Sequence, residues 1–257
     1  MRFDCAATGP TSLVNCADYT PLELFLFCFG CWLWVVCYVV LIRDIRRYKF
    51  VGMPAFSGAG NIGWEFVWTF LYATDMGLIA DWAYKAWFAI DIYIFWKLVQ
   101  YGHKQGWAPA IRRVYKPMIL FAAAMLGLLY YLFQASGHVD YPIGAATAYI
   151  DNFTMSVLYL FLLSRLTDVR GLAPSIGWMK MIGTGTNTVF MVLHFPHDRF
   201  IHVLGVGLFV CDVIYVAWLN KKREAQRRGI PGIPALDSRE PVLAPEDYVS
   251  LPRAVAT

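Results

Sequence analysis

Apolar residues gather into seven stretches, near 22–42, 61–80, 82–100, 117–135, 142–163, 175–194 and 199–219, with short polar connections between them. A membrane-crossing α-helix needs about 20 predominantly apolar residues, and each stretch comes close to that length. The pattern predicts an all-α membrane protein, a seven-transmembrane helix bundle. Stretches two and three meet around Asp81-Trp82, which makes them an antiparallel hairpin. Three regions follow: an N-terminal arm over 1–21, the bundle over 22–220, and a polar tail over 221–257. The tail carries Pro231, Pro234, Pro241 and Pro245 and reads as disordered.

Composition supports the membrane reading. The chain is 58% hydrophobic and only 16% charged, against about 25% charged residues in ordinary soluble domains. The spans leave no room for a soluble catalytic domain, so any chemistry has to take place among the helices. The distribution of charge sets orientation. Arg43, Arg46, Arg47 and Lys49, then Lys104, Arg112, Arg113 and Lys116, then Arg165 and Arg170, fall in alternate connections, and Lys221, Lys222, Arg223, Arg227 and Arg228 follow the last span. By the positive-inside rule these segments and the C-terminus are cytosolic and the N-terminus is lumenal. Basic residues bordering spans point to anionic lipid headgroups and not to nucleic acid. No cleavable signal peptide is evident at the start. In the arm, Cys5 and Cys16 are either a disulfide or two free thiols. Cys28 and Cys31, inside the first span, read as small hydrophobes rather than as metal ligands.

Against this apolar background, ionisable residues within spans stand out. Glu65 follows Gly-Asn-Ile-Gly-Trp at 60–64. A charged carboxylate at the centre of a membrane helix costs roughly 2.5–3.5 kcal/mol on insertion scales, so it is neutralised, paired or functional. On a helix Glu65 shares a face with Asn61, Trp68 and Tyr72. Spans two and three are rich in aromatics, among them Trp64, Trp68, Trp87 and Phe88, which read either as core packing or as a chamber able to stabilise a cation. Asp91 lies mid-span in the third stretch, and Asp151 and Asn152 in the fifth; each is also explained as a hydrogen bond between helices. Asp212 and Tyr215 share a face of the last span. Glu65 is expected about 6 Å, and Asp212 about 10 Å, from the cytosolic surface at 1.5 Å per residue. The two acids are therefore expected to form one site opening toward the cytosolic half if their helices are neighbours. Desolvation penalises the charged form of an acid, and a second carboxyl adds to that penalty. Such a pair suits proton donation to an epoxide or olefin, or equally a proton relay in a carrier.

The run Asn61-Ile-Gly-Trp-Glu65-Phe66, together with Asp212 in the last span of a seven-helix chain, resembles the integral-membrane terpene cyclases of fungal meroterpenoid and indole-diterpene pathways, the pyripyropene- and paxilline-cyclase type. The resemblance implies an endoplasmic reticulum enzyme that protonates the terminal epoxide or olefin of a farnesyl or geranylgeranyl chain on an aromatic or polyketide core. Ring closure then proceeds through carbocations, without a metal or other cofactor. It also implies that Glu65 and Asp212 are the catalytic acids, with Asn61, Trp64, Trp68, Tyr72, Trp87, Asp91 and Tyr215 as residues that orient them or touch substrate. The chain has neither a DDxxD nor a DxDD run. The competing reading is a proton-coupled solute transporter using the same acids, and a sterol-isomerase-like enzyme is a third. A retinal receptor is disfavoured, because the last span has no lysine for a Schiff base.

Overall fold

A computed structural model describes residues 12–249 apart from Val139 and Pro142. Among the described residues eight α-helices run in order: α1 Pro21–Tyr48, α2 Ala55–Phe70, α3 Leu78–Tyr101, α4 Pro109–Ala135, α5 Ala145–Arg165, α6 Pro174–His194, α7 Arg199–Arg227 and the short α8 Pro245–Val249. The described residues contain no β-strand. Local chemistry fixes the ends of these helices. Thr20 and Glu23 form a reciprocal capping box at the start of α1, and Asp198 accepts from the Ile201 amide at the start of α7. Proline opens α4 and α6, where its missing N–H costs nothing. Before α2, the Gln105 side chain donates to the Val51 and Met53 carbonyls and accepts from the Ala55 amide.

Four helices, α1, α4, α5 and α7, are each long and apolar enough to cross a bilayer. Their outward surface is greasy: Phe25, Trp32, Phe121, Phe161 and Val203 are all more than half exposed. An apolar exterior of that extent suits a protein embedded in lipid. Inside the bundle α1 packs on α6, α2 on α3, α4 and α5, and α7 on α5 and α6.

Several boundaries depart from the hydropathy pattern. α2 starts at Ala55, not 61, and ends at Phe70, not 80, and residues 71–77 lead into α3 at Leu78. Glycines that read as a connection are helical because they let α2 approach its neighbours closely. A Cβ at Gly63, for instance, would lie 2.8 Å from the Gly127 backbone nitrogen of α4. With 16 residues, α2 is about 24 Å long, short of the roughly 30 Å hydrocarbon core. At the other end of the chain α7 continues past Leu219 to Arg227, and the segment that composition marked as disordered is packed. Val242 and Ala244 are fully buried. The Val242 amide donates to the Tyr48 carbonyl, Arg170 donates to the Glu240 carbonyl, and the Tyr248 hydroxyl donates to Asp168 at 2.5 Å. Residues 230–249 thus form a strap across the basic ends of the helices.

Candidate active site

Glu65 lies ten residues after Ala55 on α2, about 15 Å along the helix, and is 5% exposed. Its Oε1 accepts from the Asn61 amide at 3.0 Å and from the Tyr38 hydroxyl of α1 at 3.4 Å. The same Asn61 nitrogen donates to the Tyr38 oxygen and, at 3.2 Å, to Oδ2 of Asp91 on α3. One amide therefore links a phenol and two carboxyls carried by three helices. Glu65 Oε2 and Asp91 Oδ1 are both buried without a hydrogen-bond partner. Asp151 of α5 comes to the same region. Its Oδ1 accepts from Tyr130 at 3.0 Å and abuts Gly60 of α2, where a Cβ would collide with it. Among the described residues, no lysine, arginine or histidine is ion-paired with Glu65, Asp91 or Asp151.

Asn61, Glu65 and Asp151 border a cavity of about 110 Å³ whose wall also includes Trp34, Trp64, Trp87 and further side chains of α1, α5 and α6. Its aromatic wall is held in place. Asp140 accepts from the Thr147 hydroxyl, and that hydroxyl accepts from the Trp64 indole at 3.0 Å. Trp64 meets Tyr84 edge-on, and Trp87 meets Tyr38 edge-on, each pair with centroids 5.8 Å apart. The cavity reaches Phe27, Ile143 and Met191, so it extends toward the end of the bundle at which α1 begins. Expectation had placed it in the opposite, basic half. The difference arises because Glu65 sits nearer the end of α2 than its start.

Asp212 is elsewhere. It is buried on α7 and held by Lys180 of α6, whose Nζ stands 2.7 and 2.9 Å from its two oxygens and donates to Ser156 of α5 at 2.5 Å. The expected shared site of Glu65 and Asp212 is therefore corrected: α7 packs on α5 and α6 while α2 packs on α3, α4 and α5, and a lysine neutralises Asp212. Lys180 in turn approaches the cavity through Trp34, which lines it and has Lys180 Nζ 5.8 Å from its ring centroid. Two aromatics and Tyr215 also fall outside the cavity lining. Trp68 is fully buried against Gly144, which takes a φ of +70°. Tyr72 donates to the Tyr131 carbonyl and stacks on Tyr131. Tyr215 packs on Tyr159 with centroids 5.0 Å apart. Asn61, Trp64 and Trp87 do line the cavity, and Asp91 stands immediately behind Asn61. Sequence reasoning missed Lys180, Tyr38 and Tyr130. For Lys180 the signal was available, since a cation inside a span is as costly as an acid. Cys5 lies outside the described residues, and so does any pairing with Cys16.

Comparison with known proteins follows the same line. The chain is 26% identical over 223 residues to the terpene cyclase ascF of Acremonium egyptiacum, covering 77% of this chain and 80% of that one. It is 25% identical over 192 residues to the Pyr4-family terpene cyclase mfmH of Annulohypoxylon moriforme, covering 73% and 78%. With the terpene cyclase esdpB of Penicillium shearii it shares 26% identity over 159 residues, 59% of this chain and 61% of that one. No solved structure matches. Residues 14–220 match the Pyr4-like transmembrane terpene cyclases, and the chain is a member of that family.

Proposed function

We propose that this cyclase takes the terminally epoxidised or olefinic end of a farnesyl or geranylgeranyl chain, joined to an aromatic or polyketide core, and closes it into rings by proton transfer from Glu65. The observation that carries this reading is Glu65 Oε2: a buried carboxyl oxygen without a partner, bordering a tryptophan-lined cavity, with no counter-ion among the described residues. Asn61 has two N–H hydrogens for three acceptors, the Tyr38 oxygen, Glu65 and Asp91. A proton held between the two carboxyls satisfies that deficit and is the one delivered. The Glu65 O–H bond breaks as the epoxide oxygen or alkene carbon takes the proton, and the π electrons of successive double bonds close the rings. Trp34, Trp64 and Trp87 present ring faces to the migrating charge and exclude the water that would quench it. The cavity, about 110 Å³, is below the roughly 300 Å³ at which pockets for whole small molecules begin. It accommodates the reacting terminus, leaving the aromatic head outside.

Asp212 acts at one remove in this reading, fixing Lys180 and through it the Trp34 face. The remaining helices α2, α3 and α6 complete seven spans, with the N-terminus lumenal and the basic strap side cytosolic, in the endoplasmic reticulum of a meroterpenoid-producing cell. Family membership gives no support to the transporter alternative. The test is Glu65→Gln in microsomes supplied with terminally epoxidised farnesyl and geranylgeranyl phenols. Loss of a general acid is worth about 10²–10⁴-fold, so ring-closed product should fall by at least 10²-fold at unchanged folded yield; a variant that cyclises at near-normal rate would refute the assignment.

A further inference from the structure

We propose that Asp151 is the base that ends the cascade, an inference that rests on the cyclase reading of the same cavity. Ring closure leaves a carbocation, and an olefinic product forms only when a neighbouring C–H bond is broken. The proton then needs an acceptor inside the dry chamber. Two carboxyls, Glu65 and Asp151, line the cavity and a third, Asp91, stands behind Asn61, and their settings differ. Asp91 is tied to Glu65 through Asn61 and is not among the cavity-lining side chains. Asp151 lines the cavity from α5, on a different helix from the donor pair. Its Oδ1 has a donor of its own, the Tyr130 hydroxyl at 3.0 Å, and packs on Gly60, the residue preceding Asn61. The Tyr130 hydroxyl occupies only Oδ1, and among the described residues no side chain donates to Oδ2, so that oxygen keeps its lone pairs open to accept. Two carboxyls on different helices that border one cavity can serve as donor and acceptor of one reaction.

The step balances. The C–H bond next to the cationic carbon breaks, its electron pair becomes the new C=C bond, and the proton binds Asp151 Oδ2. Glu65, left as carboxylate by the first step, regains a proton from Asp151 before the next turnover, so substrate and product are isomers. Gly60 is the device that admits this geometry, since any Cβ there overlaps the Asp151 carboxyl and comes within 3.1 Å of the Tyr130 oxygen.

The experiment compares wild type, Asp151→Asn and Gly60→Ala in microsomes given terminally epoxidised farnesyl and geranylgeranyl phenols, with products resolved by NMR and folded yield followed by a fluorescent fusion. Asp151→Asn should still open the epoxide and consume substrate, while the normal olefin falls by about 10²-fold and isomeric olefins or water-trapped alcohols replace it. The same olefin, in the same proportion and at near-normal rate, overturns the proposal. Should Asp151→Asn fold poorly, Gly60→Ala displaces the carboxyl while keeping every ionisable group. A shifted product spectrum supports the assignment, and an unchanged one overturns it. The two readings fail separately: Glu65→Gln that still cyclises removes the donor, whereas an inactive Glu65→Gln beside an unaltered Asp151→Asn removes only the base.

Discussion

Lys180 and Asp212 offer the sharpest quantitative test of how the bundle is held together. Their side chains are 4% and 3% exposed, with nitrogen and oxygen 2.7 Å apart. At that separation two unit charges attract by about 6 kcal/mol at an effective dielectric of about 20, most of it offset by the cost of stripping water from both. Removing one partner leaves the other charge buried and unmatched, at about 3–5 kcal/mol. Lys180→Met and Asp212→Asn should each lower stability by about that amount, whereas the double variant should recover most of it, a coupling of at least 2 kcal/mol. Thermal unfolding of detergent-purified protein, followed by tryptophan fluorescence, measures all four corners of the cycle. Additive losses in the double variant would refute the pairing. Activity of the double variant separates two roles for Asp212. If it acts only by offsetting the buried Lys180 charge, so that the wall at Trp34 packs, the folded double variant with a neutral pair keeps substantial cyclisation; if its carboxyl touches substrate, the folded double variant is inactive.

Other expectations follow from the same geometry. Gly63→Val should force α2 and α4 apart, because a Cβ there meets the Gly127 backbone nitrogen at 2.8 Å; a loss of about 1–3 kcal/mol or more should show as reduced folded yield, and an unaffected yield would contradict the close crossing. The strap should respond to pH at both extremes. Burial pushes the Asp168 carboxyl up, but hydrogen bonds from Arg170, Tyr248 and Gln226 outweigh it and hold the group below its ordinary value. Its contribution is therefore full above the unfolded value of about 3.9 and is lost only as pH falls below that. Burial and Asp168 push the Tyr248 hydroxyl up to about 12, so its contribution is full below about 10 and lost as pH rises toward 12. Protection factors against hydrogen exchange over residues 230–249, which correct for the intrinsic pH dependence of exchange, should hold steady from about pH 4 to about 10 and fall outside those limits, and Tyr248→Phe should lower them at neutral pH by removing a bond worth about 1–3 kcal/mol.

What the chain reveals by inspection follows the physics of each position. Glu65 and Asn61 share a helix face by spacing alone, and the structure joins them at 3.0 Å. Local periodicity carries that contact, so it is legible. The same spacing applied to Trp68 and Tyr72 does not predict their surroundings, because which way a face turns is decided by partners far away in sequence, Gly144 and Tyr131. Similar burial depth suggested that Glu65 and Asp212 meet, yet depth says nothing about position around the bundle, and Lys180 had already claimed the aspartate. Mean apolarity hides a single lysine in a span. The start of α2 was obscured for a related reason: Gly58 and Gly60 look like loop formers in isolation, and only Leu98 and Asp151 packed against them show that they are helical contacts.

The C-terminal strap has a bearing on biogenesis. It is hydrogen-bonded to the ends of α1 and α7, to Lys104 after α3, and to the Asp168–Arg170 turn after α5. Translation delivers it after all seven long helices, so until it emerges, the Asp168 and Arg170 pair and the final carbonyls of α1 lack their last partners. The bundle's basic end therefore reaches its full set of polar partners only once the strap has left the ribosome and docked, so the helices must insert before that surface can close.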